Sequence, residues 1–138
     1  MSITGVVTLA VALAAASLFG LIWQRRQGRL RSGADERLPA DLLGSDGLGA
    51  RATLVQFSSA FCRPCVATRH VLGDVAGRVP GVRHVEVDAE SNLDLVRALN
   101  IASTPTTLVL DSGGTVRRRA VGVPKRDEVL ATLAALGD

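Results

Sequence analysis

The sequence predicts an α/β fold, a mixed central sheet with helices on both faces, preceded by one apolar helix of membrane-spanning length. Three observations carry that prediction. Ile3 to Trp23 is a 21-residue stretch without a charged side chain. Beyond it, β-branched and apolar runs alternate with helical spacings in the order β-α-β-α-β-β-α, and glycine or proline punctuates the joins. At 138 residues the chain has room for one domain and an appendage.

Residues 1–23 read as the appendage. A helix of that length spans roughly 30 Å, the thickness of a bilayer core. A cleaved signal peptide is the alternative, but no basic residue precedes the apolar run, the run exceeds the usual ~7–15-residue core of such signals, and no convincing Ala-x-Ala site follows Trp23. An uncleaved anchor is the expectation. Arg25, Arg26, Arg29 and Arg31 follow it closely, so the positive-inside rule places the rest of the chain on the cytoplasmic face, with Trp23 at the interface. The extracytoplasmic face is the alternative.

Residues 24–50 read as a basic tether containing Gly28, Gly33, Gly44, Gly47 and Gly49. They also account for the charge. The formal net charge is +3. Five arginines against Asp35 and Glu36 supply all of it within 24–37, and residues 38–138 carry 11 basic and 11 acidic side chains. The domain therefore has no excess charge for a polyanion, and no nucleic-acid partner is expected. The arginines are a solvated linker that also suits anionic head groups.

Residues 51–138 form the domain. Ala52 to Ser58 is a strand candidate, and Cys62 to about Val79 a helix that stops before Pro80-Gly81. Val82 to Asp88 is the second strand. Ser91 to Asn100 reads as a helix with Ser91 as N-cap and Asp94 completing a capping box. Thr106–Asp111 and Thr115–Gly122 flank Ser112-Gly113-Gly114 as a hairpin. Pro124 to Leu136 closes the chain as an amphipathic helix with Val129, Leu130, Leu133 and Leu136 at helical spacing. Arg117, Arg118 and Arg119 read as protection of a sheet edge.

Cys62 and Cys65 are the only cysteines. At i and i+3 in a first helical turn they share one face and can close a small disulfide ring. Unpaired backbone N–H groups and the positive helix end favour a thiolate there, shifting such cysteines from ~8.5 toward about 3.5–7.5. Cys62 is thus the expected nucleophile and Cys65 the resolving thiol. Arg63 adds a positive charge, and Pro64 suits the first turn, where its missing N–H costs nothing. Two other readings compete. A zinc site needs four ligands, and only His70 and His84 are available besides these thiols. Two inert buried cysteines fit poorly with a position between strand and helix.

Phe61-Cys62-Arg63-Pro64-Cys65, followed about forty residues later by Ser103-Thr104-Pro105-Thr106, resembles the thioredoxin superfamily over about residues 52–138. Val87-Asp88 ending the second strand and Gly113-Gly114 in the hairpin belong to the same pattern, and the anchor is similar to that of membrane-tethered bacterial relatives. The resemblance implies a thioredoxin-like fold. It implies attack by Cys62 on a substrate disulfide, resolution by Cys65, a cis Pro105 facing the sulfurs, and a Thr104 backbone that pairs with extended substrate. Without it, Pro105 would read as an ordinary strand-start proline.

The departures are specific. Phe61 stands where relatives usually have Trp, and Arg63 where Gly is usual. Gln56 replaces a buried Asp held to move a proton to the resolving thiol, and His84 replaces a nearby Lys. Gln56 cannot titrate, so His84 becomes a candidate proton relay, against the plainer reading of a packed strand histidine. His70 is assigned no chemistry. The expected activity is a membrane-tethered thiol-disulfide oxidoreductase acting mainly as a reductant of protein disulfides, with a disulfide-containing protein substrate, an electron donor, no cofactor, no metal and a monomeric state. The rivals are an extracytoplasmic oxidoreductase of envelope or cytochrome maturation and a non-catalytic binding module, the latter disfavoured by the intact cysteine pair.

Overall fold

A computed structural model describes residues 2–33, 35–38, 43 and 47–137. Helix α1 spans Ile3–Arg26, capped by Ser2, whose hydroxyl accepts from the Gly5 N–H. None of its residues is buried. Its 24 residues, of mean hydropathy 2.3 over the most apolar window, make a helix long and apolar enough to cross a membrane, properties that a signal sequence shares.

Among the described residues the sheet has five strands in the order β1-β5-β4-β2-β3: β1 (Arg31–Ser32), β2 (Ala52–Ser58), β3 (Val82–Asp88), β4 (Thr106–Asp111) and β5 (Val116–Val121). β2 and β3 run parallel, with Ala52 opposite Val82 and Ser58 opposite Asp88. The other neighbours are antiparallel. Helix α2 is Arg63–Arg78, α3 is Leu93–Ala98 and α4 is Arg126–Leu136.

Alternation along β2 explains the layers, because successive side chains leave opposite faces of a strand. Ala52 and Leu54 join Leu72 and Val75 of α2 and Val129 and Leu133 of α4. Val55 and Phe57 join Val87, Leu99, Ile101, Leu108 and Leu110 on the other face. Among the described residues, the helix on that second face is the six-residue α3, with Leu95 and Val96 packed against the core, and Leu38 and Leu43 join the same cluster.

The stretch read as a tether is therefore corrected in part. Arg31–Ser32 pairs with Arg119 and Arg118, the Gly33 N–H donates to the Arg117 carbonyl at 2.9 Å, and Arg37 bridges to Thr115. Leu38 and Leu43 are 3% and 2% exposed, and burying each contributes roughly 1.5–3 kcal/mol. A Cβ on Gly33 would run into the Val116 carbonyl, so glycine there permits close docking rather than slack. Gly44 lies outside the described residues.

The arginine run is corrected with it. β5 is not an open edge, since β1 covers it. Arg119 donates to the Leu99 carbonyl, and Arg117 pairs with Asp111 at 2.9 Å and Asp35 at 3.7 Å.

The helix expected from Ser91 is shorter. Asp88 outcompetes it locally: its carboxylate accepts from the Ser91 hydroxyl at 2.7 Å and the Glu90 N–H at 3.1 Å, and its carbonyl accepts from the Asn92 side chain at 2.8 Å. Ser91 is consumed in this turn, so α3 starts at Leu93 with Asn92 as N-cap and no side-chain cap bond. α4 likewise begins at Arg126 rather than Pro124.

Candidate dithiol site

The C-terminal end of β2 delivers Ser58 and Ser59 to a tight turn, in which Phe61 takes a left-handed φ of 57°. That conformation costs an L-residue roughly 1–2 kcal/mol, and it leaves the Phe61 ring fully exposed. The Glu90 carboxylate accepts from the Ala60 N–H at 3.2 Å and holds the turn. Cys62 is the N-cap of α2, with its sulfur accepting from the Cys65 N–H at 3.2 Å, and Pro64 lies in the first turn. Cys62 and Cys65 form a disulfide, their Cα atoms 5.2 Å apart. Cys65 is buried while Cys62 is half-exposed. An attacking sulfur open to a partner and a resolving sulfur shielded from it is the division of labour that a two-step exchange needs.

From across the fold comes the segment before β4. The Thr104–Pro105 peptide bond is cis. The Thr104 hydroxyl lies 3.9 Å from the Cys62 sulfur and 2.8 Å from the Ser59 hydroxyl. Pro105 is buried, and its carbonyl accepts from the Gly122 N–H at 2.9 Å. Sequence reasoning named only the Thr104 backbone. The hydroxyl pair of Ser59 and Thr104 at the sulfur escaped it, and the single signal for it was a small polar pair ending a buried strand. Beside Cys62 opens a shallow cleft of about 550 Å³ walled by Phe61 and Val66 and bordered by Arg63 and Arg69.

Beneath the dithiol lies Gln56, fully buried. Its side-chain nitrogen donates to the Cys65 carbonyl at 2.8 Å and to the Ser58 hydroxyl at 2.9 Å. Its oxygen is 3.0 Å from His84 Nε2. With both amide hydrogens committed, the Gln56 oxygen is an acceptor, which assigns the imidazole proton to Nε2. His84 thus joins the dithiol through Gln56 and ends at the Cys65 backbone, not at either sulfur. Burial lowers the His84 pKa; Glu86 opposes that and Arg69 adds to it. Glu86 itself is held below its usual range chiefly by the hydrogen bond from Arg69, a two-pronged contact at 2.5 and 2.7 Å. His70 is exposed on α2. Among the described residues no group of three or more His, Cys, Asp or Glu converges to hold a metal.

Comparison with known proteins agrees with this geometry. A family model described as Thioredoxin matches residues 47–135. The chain is similar to Thioredoxin H2-1 of Oryza sativa, 31% identical over 62% of this chain and 61% of that protein. It is also similar to a thioredoxin of Mycolicibacterium smegmatis, 29% identical over 72% of this chain and 88% of that protein. Among solved structures, a thioredoxin variant from Halobacterium salinarum superposes with a TM-score of 0.60 at 20% identity, covering 78% of this chain and 96% of its own, a likeness of fold.

Proposed function

The chain belongs to the thioredoxin family and is a thiol-disulfide oxidoreductase, and from that premise we propose that it works tethered to a membrane as a reductant of protein disulfides. The observation that carries the chemistry is the cysteine pair at the start of α2, with Cys62 half-open and Cys65 buried below it. The reduced Cys62 thiolate attacks one sulfur of a substrate disulfide, forming a mixed disulfide and expelling the other sulfur as a thiolate that takes up a proton. Cys65 then attacks the Cys62 sulfur, releasing the second substrate thiol and leaving the Cys62–Cys65 disulfide. A donor dithiol, itself oxidised to a disulfide, returns two electrons and two protons for the next cycle.

The remaining residues have proposed parts. Thr104 and Pro105 form the ledge on which substrate backbone lies, and Phe61 supplies an apolar rim in place of an indole. Arg63 biases Cys62 toward thiolate. Replacing it, Arg63→Gly, should slow alkylation of reduced Cys62 by iodoacetamide at neutral pH roughly threefold, the order of magnitude of one unit-charge attraction between neighbouring residues in water. An unchanged rate would remove Arg63 from the mechanism. His84 serves as a positioning partner of Gln56. The 3.0 Å contact supports that role, and the path from Gln56 to the Cys65 carbonyl leaves a proton transfer to sulfur without a direct route.

For placement, α1 is read as an uncleaved single-pass anchor and the domain as cytoplasmic, supported by the uncharged run and the arginines after Trp23. Intact cells treated with a membrane-impermeant phosphine reductant and then an impermeant maleimide should leave Cys62 and Cys65 unlabelled, with labelling appearing after permeabilisation. Labelling before permeabilisation would place the domain outside, where electrons must be supplied across the membrane.

A further inference from the structure

Where α1 ends, the chain turns back onto the domain instead of trailing away. The Gly28 N–H donates to the Val121 carbonyl at 2.6 Å, and β1 follows along β5. Between the last turns of α1 and this edge lies a cleft of about 470 Å³, with Trp23 and Val121 in its wall and Arg26, Arg29, Arg31 and Arg119 around it. Among the described residues no acidic side chain lines it, and Arg26, Arg29 and Arg31 have no ion-pair partner. Glu128 is close by but is engaged by the Leu30 N–H at 3.3 Å. Arg119 donates to the Leu99 carbonyl, and the guanidinium groups of Arg26, Arg29 and Arg31 are left uncommitted around the concavity, where their mutual repulsion favours an anion among them. Their planar forks match phosphate oxygens two at a time.

We propose that this cleft binds the phosphate-bearing headgroup of an anionic phospholipid, seated where the anchor leaves the bilayer. The proposal rests on the membrane-anchor reading of α1. Two features select a lipid over a soluble phosphate. The cleft opens beside Trp23, the last residue of the uncharged run, at the depth where hydrocarbon gives way to headgroups. Its wall also includes the apolar surfaces of Trp23 and Val121, which inorganic phosphate would not use but glycerol and the first acyl carbons would cover. Occupancy would hold the domain in one orientation above the membrane. Gly122, next to Val121, bonds the Pro105 carbonyl, so the bound lipid would lie against the same strand end that supports the substrate ledge.

Trp23 is the only tryptophan and there is no tyrosine, so intrinsic fluorescence reports on the cleft directly. The full chain would be reconstituted in phosphatidylcholine nanodiscs containing a minor fraction of either phosphatidylglycerol or phosphatidylcholine brominated near the glycerol end of its acyl chains. Brominated phosphatidylglycerol should quench Trp23 several-fold more strongly at equal mole fraction. Arg29→Gln with Arg31→Gln should bring quenching by the two lipids close to parity, since both forked guanidinium contacts to the phosphate oxygens are lost. Arg25→Gln, outside the cleft, should leave it intact. Equal quenching by the two lipids, or a loss from Arg25→Gln as large as from the pair, would overturn the site in favour of diffuse surface charge. Loss of the preference on adding inorganic phosphate at constant ionic strength would overturn the lipid assignment. Absence of quenching by brominated phosphatidylcholine itself would instead mean that α1 is not in the bilayer, a failure of the anchor reading that is distinct from the other outcomes.

Discussion

Cys62→Ser is expected to reduce disulfide turnover to the uncatalysed background, and Cys65→Ser to stop the cycle one step later with substrate still attached. A serine hydroxyl at position 62 is not ionised at neutral pH and makes no mixed disulfide, so nothing replaces the half-exposed sulfur at the α2 N-terminus. At position 65 the loss is different, because Cys62 is still capped by the residue 65 N–H and still open to attack. The mixed disulfide then forms but has no buried neighbour to resolve it. With dithiothreitol as donor and insulin as substrate, precipitation of reduced insulin chains measures turnover, and the pre-reduced variant, freed of dithiothreitol before insulin is added, shows the trapped adduct on non-reducing electrophoresis. Wild-type turnover persisting in both variants would refute the dithiol mechanism. Adducts on Cys62→Ser rather than Cys65→Ser would reverse the two roles.

Gln56→Leu should destabilise the domain by roughly 2–4 kcal/mol. Leucine is of similar size, so the loss comes from polar groups rather than from a cavity. The Ser58 hydroxyl is stranded in the interior at about 1–3 kcal/mol, and the Cys65 carbonyl, which keeps its partner within α2, loses a second hydrogen bond at about 0.5–1.5 kcal/mol, while half-buried His84 retains access to water. The fall would appear in the urea midpoint of the full chain in detergent micelles. A change within about 0.5 kcal/mol, ordinary for surface substitutions, would deny Gln56 its structural role. The same junction gives stability a pH dependence. Burial holds the folded His84 pKa below its unfolded value, so the unfolded chain binds the proton more tightly. The stabilisation by neutral His84 is then complete above about pH 6.5 and lost as pH falls from there toward the folded pKa. His84→Gln should flatten the urea midpoint across that window, and an unchanged slope would assign the titration to other groups.

How far the sequence alone reaches depends on the range of the interactions. Strands 52–58 and 82–88 agree end for end with their sequence boundaries, because apolar runs bracketed by Gly, Pro and small polar residues are local signals. The dithiol is equally local, since spacing by three at a helix start places both sulfurs without reference to the rest of the chain. The α3 boundary was misread for a local reason too: Asp88, in the preceding strand, offered Ser91 a better partner than a helix end did.

The errors of longer range share one cause. Residues 31–32 join the sheet through backbone hydrogen bonds, which leave no side-chain pattern, and a two-residue strand is too short for any period to show. Leu38 and Leu43 are single apolar residues in a Gly-rich stretch, and only a sheet face left uncovered by the short α3 makes them core. Gln56 looked in sequence like a missing carboxylate, whereas folding fills its hydrogen-bonding capacity with Ser58, Cys65 and His84, two, nine and 28 positions away. The sequence by itself determined the α/β order, the apolar N-terminal helix and the reactive pair, because each is written in residues close along the chain. Only the tertiary structure decided that residues 31–33, Arg37, Leu38 and Leu43 pack against the sheet, that buried Gln56 meets half-buried His84, and that four arginines from the end of α1, the chain beyond it and β5 line one cleft, because those contacts join residues that are distant along the chain and adjacent only after folding.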